Sequence, residues 1–280
     1  MFKDTLVVAL GTAMSRLTGL LRVIVIGVII GQTALADAFD GANNSPNSIY
    51  ELLVGGLLAA SLVPLFTRFA EDKDEEATQA VVSTSVVVLA LATLIAIACA
   101  PLIFRVFSLN PSAKVDVDQF RRAGTAMTRI FLIQIFFYGL SAIGSALLNS
   151  RRRFAAAAWS PVLSNIVTIT LLILIPFTRD GRPELTDVVN DHTFFWLFTM
   201  SATAGVMAMG LVLIPALKRA DITIRFTPNF GHPAVRTMIK LSSWTFGYVV
   251  TNQVALVVIK NLAEPGSGNQ DAYSKAFTNL

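Results

Sequence analysis

Two arginines, Arg16 and Arg22, lie inside the first apolar stretch of the chain, Thr5 to Ile30. A guanidinium at hydrocarbon depth is costly, so it faces a bundle interior or a wet cavity and calls for an anionic partner. Its planar fork binds oxyanions bidentately and stays charged in any plausible surrounding, which makes a phosphate or diphosphate a fitting ligand. Other polar residues gather nearby: Ser15, Asp37, Asp40, Asn43, Asn44, Asn47 and Glu51. At about 100° per residue, Arg16 and Arg22 stand roughly 120° apart on a straight helix and share no narrow face. Two long side chains still reach a common ligand from a wide cavity wall, more readily if the helix bends at Gly19. Asp37 and Asp40, three apart on one helical face, would then supply counter-charge to the empty cavity. The competing reading is structural. Each arginine snorkels or pairs with a carboxylate, and the aspartates sit at the membrane surface.

No other chemistry competes strongly with this one. The chain has no Walker-type phosphate loop, no His-Glu-x-x-His, no Gly-x-Ser-x-Gly and no facing carboxylate pair, so neither an enzyme nor an ATP-driven pump is expected. Cys99 is alone, and His192 and His232 stand far apart near span ends, so no metal and no cofactor is expected. The acidic run Glu71 to Glu76 reads as a solvated turn.

The elements that must position the arginines are membrane helices. Hydrophobic residues make up 54% of the chain and charged residues only 14%, against about 25% in soluble domains. Mean hydropathy is +0.64. Apolar runs long enough to cross the bilayer, which takes about 20 helical residues, recur along almost the whole length. A barrel would show short alternating segments instead. The expected fold is therefore an all-α polytopic membrane protein. Helices are placed near 4–30, 34–69, 77–107, 118–149, 155–178, 193–218 and 233–262, with an eighth beginning near 270. Within the second window the polar run Gly41 to Asn47 is unsuited to lipid. Pro46 removes a backbone donor there, so this segment faces a cavity or a neighbouring helix, or breaks.

Basic residues set the expected orientation. Arg151-Arg152-Arg153, Lys218, Arg219, Arg225 and Arg236 fall on the same side as Lys3, which puts the N-terminus in the cytoplasm by the positive-inside rule. The pI near 9.4 then reports loops facing anionic lipid rather than a nucleic-acid partner. The first apolar run is too long, and too charged, for a cleaved signal, so it is read as a retained span. The chain stops a few residues into its last apolar segment, as the N-terminal portion of a longer protein would.

At these residues the chain resembles the MurJ (MviN) lipid II flippases of the multidrug/oligosaccharidyl-lipid/polysaccharide (MOP) exporter superfamily. Ser15-Arg16-Leu17-Thr18-Gly19-Leu20-Leu21-Arg22 is similar to the family's first-span signature, Ser-Arg-x-x-Gly-x-x-Arg. Ala36-Asp37-Ala38-Phe39, Pro46-Asn47 and Val63-Pro64 resemble its second span. Leu148-Asn149, Arg153-Phe154, Pro161 and Asn165 resemble its fourth and fifth. The resemblance implies a MATE-like bundle of fourteen helices in two lobes around a cationic cavity that alternates its access. Residues 1–218 would form the N-terminal six-helix lobe, and 219–280 the incomplete start of the C-terminal lobe. It implies lipid II, the undecaprenyl-diphosphate-linked peptidoglycan precursor, as substrate. Arg16 and Arg22 would bind the diphosphate, with Asp37 and Asn47 as second-span cavity residues. Bilayer lipids and cell-wall synthesis proteins are the implied partners, in a bacterial cell membrane.

The chain departs from the family pattern at Val23, where an acidic residue is usual, at Tyr50, where an Arg is usual, and at Ala157, where Pro is common. Thr278 stands near the usual eighth-span Arg, with Lys275 close by. Tyr50-Glu51-Leu52-Leu53-Val54-Gly55-Gly56 resembles actinobacterial members. The shared diphosphate chemistry keeps open an exporter of another prenyl-diphosphate glycan, and the thinner cationic cluster keeps open a non-transporting scaffold or regulator of cell-wall synthesis.

Overall fold

The computed structural model describes residues 2–50, 60–108, 115–240, 251, 254 and 255. Glu51, Lys275, Thr278 and the segment near 270 lie outside the described residues, as does the side chain of Tyr50. The described chain is helical throughout its regular elements: α1 (Phe2–Ile30), α2 (Ala34–Tyr50), α3 (Ala60–Glu71), α4 (Glu75–Ala98), α5 (Ala100–Phe107), α6 (Val117–Phe131), α7 (Gln134–Ser150), α8 (Phe154–Leu174), α9 (Asp187–Asn190), α10 (His192–Leu211) and α11 (Leu213–Arg219). A further helix occupies 233–240.

Among the described residues, five stretches are long and apolar enough to cross a membrane: Thr5–Ile30, Glu75–Ala98, Val117–Ser150, Phe154–Phe177 and His192–Arg219. They coincide with five of the seven expected windows. The protein is a multi-pass membrane protein. The second window divides into α2 and α3, and of the seventh the structure describes chiefly its first helix at 233–240.

Helix starts follow from their caps. The expected acidic turn ends on Asp74, whose carboxylate accepts from the Ala77 N–H at 2.9 Å and leads Glu75 and Glu76 into the first turn of α4, where they meet the helix dipole favourably. Asp116 caps α6 and Asp191 caps α10 in the same way.

Helix breaks are satisfied by side chains of a neighbouring helix or of the same helix, as the bilayer demands. Between α6 and α7 the backbone tightens to i→i−3 bonds at Ile133, Ile135 and Phe136. Across that joint the Gln134 amide donates to the Thr203 hydroxyl of α10 at 3.2 Å, and Thr203 reaches the Ile130 carbonyl at 3.5 Å. Around Pro46 in α2, the Asn44 amide donates to the Asp40 carbonyl and the Ser45 hydroxyl to the Gly41 carbonyl, each at 2.8 Å. The small polar neighbours of Pro46 thus bring extra donors to the backbone, as their composition predicts.

The core divides between the two ends of the bundle. At the end carrying Arg151-Arg152-Arg153, aliphatic residues of α3, α4, α7 and α11 pack with Ile222, Val235 and Met238. At the opposite end, α2, α5, α6 and α10 interlock through rings: Phe39 meets Phe131 edge-on at 5.6 Å and Phe198 at 5.0 Å, and Phe104 meets Phe120 at 5.5 Å. Small residues permit the closest approaches. A Cβ at Gly124 would run into the Phe104 ring, and one at Gly205 would meet the Thr168 hydroxyl and lie 2.7 Å from the Ser164 carbonyl of α8.

Candidate functional site

Helix α1 is the least enclosed of the candidate spans. Only 17% of its apolar window is buried, against 56% for Val117–Ser150. Its one extensive contact is with α8, and the register of that contact decides where the arginines go. Gly11, Ser15, Thr18 and Arg22 recur at i, i+4, i+7 and i+11, which makes one helical stripe. At Gly11 the two backbones come close enough that a Cβ would lie 3.0 Å from the Ala158 carbonyl. One turn on, the Asn165 amide of α8 donates to the Ser15 carbonyl at 3.2 Å and to the buried Thr18 hydroxyl at 3.0 Å. Thr18 donates onward to the Met14 carbonyl at 2.7 Å.

This polar clamp, set in apolar surroundings, fixes the rotation of α1 about its axis. Arg22 continues the clamped stripe. It is half-buried. Arg16, off that stripe, stands exposed beside Leu17 and Leu20 on the open face. Neither arginine forms an ion pair or hydrogen bond among the described residues.

The second-span candidates fall at two depths. Asp37 lies in the first turn of α2, near its end, while Asn47 lies in its last turn; both are half-buried. On ideal helices Arg16 is about 21 Å from the end of α1 that leads into α2, Asn47 about 20 Å from the start of α2, and Asp37 about 4–5 Å from it. Arg16 and Asn47 therefore share a level, and Asp37 belongs to the bundle end. Asp40, one turn deeper than Asp37, is half-buried as well. Helix α2 packs on α6 rather than on α1, so the structure does not gather the four candidates into one contact set.

Three arginines escape the sequence reading. Arg121, Arg122 and Arg129 lie inside an apolar window, although the i, i+4, i+8 spacing of Arg121, Thr125 and Arg129 is the signal that finds them. Together with Asp118 and Ala126 they line a groove of about 530 Å³ on α6. Groups of His, Cys, Asp and Glu able to hold a metal ion are absent among the described residues.

Comparison with known proteins bears on this arrangement directly. A family model described as lipid II flippase MurJ matches residues 26–280. A lipid II flippase MurJ of Burkholderia cenocepacia is 30% identical over 270 residues, covering 94% of this chain and 50% of that protein. A probable lipid II flippase MurJ of Haemophilus influenzae is 29% identical over 224 residues, covering 76% of this chain and 41% of its own length. A solved structure of lipid II flippase MurJ in an inward closed conformation superposes with a TM-score of 0.72 at 19% identity, covering 98% of this chain and 55% of that one. That superposition establishes the fold, the helical bundle of the solved flippase. The chain spans about half the length of the curated relatives it matches. From the family match over 26–280 and a relative 30% identical over 94% of the chain, the chain belongs to the lipid II flippase MurJ family.

Proposed function

We propose that the protein to which this chain contributes is a lipid II flippase, a transporter and not an enzyme. It carries the undecaprenyl-diphosphate-linked peptidoglycan precursor from the cytoplasmic to the outer leaflet of a bacterial cell membrane. The observation that carries the proposal is the pair of guanidinium groups on α1, the least enclosed of the candidate spans, which find no anionic partner among the described residues, in a member of the MurJ family. A buried or half-buried cation without a carboxylate is expensive unless a ligand supplies the anion. A diphosphate supplies two oxyanion groups, matching two forks set 120° apart.

In this reading residues 1–218 form one lobe and 219–280 begin the second. Arg16 and Arg22 hold the diphosphate, Asn47 lines the same level, and Asp37 lies nearer the outer mouth. The prenyl tail stays in lipid while the headgroup crosses between rocking lobes. The basic turn Arg151-Arg152-Arg153 and the basic linker Lys218 to Arg225 support a cytoplasmic N-terminus. Outward movement of a negative diphosphate then runs with an inside-negative potential, at about 2.3 kcal/mol per charge per 100 mV. Cell-wall synthesis proteins are the natural partners of such a flippase.

Complementation tests this. The complete gene is expressed in a bacterium depleted of its own lipid II flippase, and lipid II in the outer leaflet is quantified. Restored outward lipid II supports the proposal. Good membrane expression without outward lipid II points to another prenyl-diphosphate glycan or to a scaffold.

A further inference from the structure

The groove on α6 carries a second cationic site. Helix α6 is sharply two-faced. Phe120, Ala123, Gly124, Met127 and Phe131 are buried against α2 and α5, and the opposite face presents Arg121, Arg122, Thr125 and Arg129. Among the described residues none of these three arginines forms an ion pair. The Arg122 Nε reaches only the Asp118 carbonyl, at 3.4 Å. The Nε of Arg121 is shut off from solvent and has no hydrogen-bond partner. A charged donor that has lost water and gained no acceptor costs more than one that has found its anion.

Position along the helix says which anion. Residues 117–150 form one 34-residue stretch, about 51 Å long, against roughly 30 Å of hydrocarbon. With Ser150 and the Arg151-Arg152-Arg153 turn at one interface, Arg129 lies about 32 Å away, at the other interface. Arg121 and Arg122 lie roughly 10–12 Å farther out. The groove thus sits in the headgroup layer where lipid phosphates lie.

We propose that the α6 groove binds the phosphate of a lipid in the leaflet opposite the Arg151-Arg152-Arg153 turn, through Arg121, Arg122 and Arg129. Two lipids offer that chemistry. One is an anionic glycerophospholipid of the leaflet, which requires nothing of the transport reading. The other is the prenyl-diphosphate glycan after it has crossed, which rests on that reading.

Full-length protein in detergent separates them. In an Arg16→Ala/Arg22→Ala background, which removes the α1 site, binding of dioctanoyl-phosphatidylglycerol and of farnesyl diphosphate is measured by calorimetry, with dioctanoyl-phosphatidylcholine as the comparison lipid. Adding Arg121→Gln/Arg129→Gln weakens the occupant roughly tenfold or more, and the Lys replacements recover part of it as point charges. Loss for phosphatidylglycerol assigns the groove to the phospholipid, loss for farnesyl diphosphate assigns it to the transported lipid, and loss for both makes it a general phosphate site. Exposed Arg122→Gln, measured alone, guards against a folding defect in the double variant, and unfolding temperatures are compared throughout. Failure of both probes to bind the parent, or equal affinity in parent and all Gln variants for every probe that binds, overturns the proposal. Outward lipid II failing while phosphatidylglycerol binding persists would sink the transport reading and leave this site standing.

Discussion

Arg179 and the α1 arginines show the same side chain put to opposite uses. Arg179, in the connection between α8 and α10, is largely enclosed, with its side chain 15% exposed. Its Nη2 lies 2.7 Å from the Asp187 carboxylate and its Nη1 3.8 Å from that of Asp191, with the guanidinium 5.2 Å from the centre of the Phe194 ring. Asp187 in turn accepts from the Glu184 N–H, and Asp191 caps α10. That arginine ties a loop together. Arg16 and Arg22 sit on the least enclosed of the candidate spans and find no carboxylate among the described residues. A cation whose partners come from the fold stabilises the fold, and one without them awaits a ligand.

This contrast is sharpest under alanine substitution. In the full-length protein, Arg22→Ala is expected to lower outward lipid II to near background while the protein unfolds at its usual temperature. Loss of charge-assisted contacts of about 1.5–3 kcal/mol corresponds to roughly ten- to a hundredfold in affinity. Arg16→Ala acts in the same direction. Arg179→Ala should do the reverse, destabilising by about 2–4 kcal/mol because two aspartates lose their shared cation, with transport reduced only as far as folded protein is lost. Thermal unfolding in detergent checks it. Gly205→Ala, with no charge involved, should cost about 1–3 kcal/mol by forcing α8 from α10. If it impaired transport at full stability, the division between structural and ligand-facing positions would break. Asn165→Ala is the mildest, at about 1–2 kcal/mol from the unmet Thr18 hydroxyl and Ser15 carbonyl. Because Asn165 sets the rotation of α1, this variant should also weaken substrate binding beyond its stability cost, which a binding titration at matched folded protein detects.

Helix positions were legible because a continuous apolar run has one answer in a bilayer. Val117–Ser150 and His192–Arg219 needed only length and hydropathy. The tightened joint at 132–133 was not, since nothing in Leu132-Ile133 marks a break; it depends on Thr203, some seventy residues away, to satisfy the backbone. The arginine motif singled out α1 as the candidate helix, and the roughly 120° separation of Arg16 and Arg22 excluded a shared narrow face. Which arginine would be half-buried required the Asn165 clamp, visible beforehand only as a conserved-looking fragment of a motif and not as a contact. Asp37 shows the limit of helical-wheel reasoning: its face was readable, its depth near the bundle end was not, because depth depends on where α2 starts relative to α1. The α6 arginines were hidden by an apolar window that averages a polar outer turn with a lipid-buried inner half.

The most direct test compares Arg22→Ala with Arg179→Ala in cells that depend on the complete gene, measuring outer-leaflet lipid II per folded molecule in the membrane. The account predicts a value near background for Arg22→Ala and a value close to wild type for Arg179→Ala. Wild-type transport per folded molecule in Arg22→Ala would contradict it.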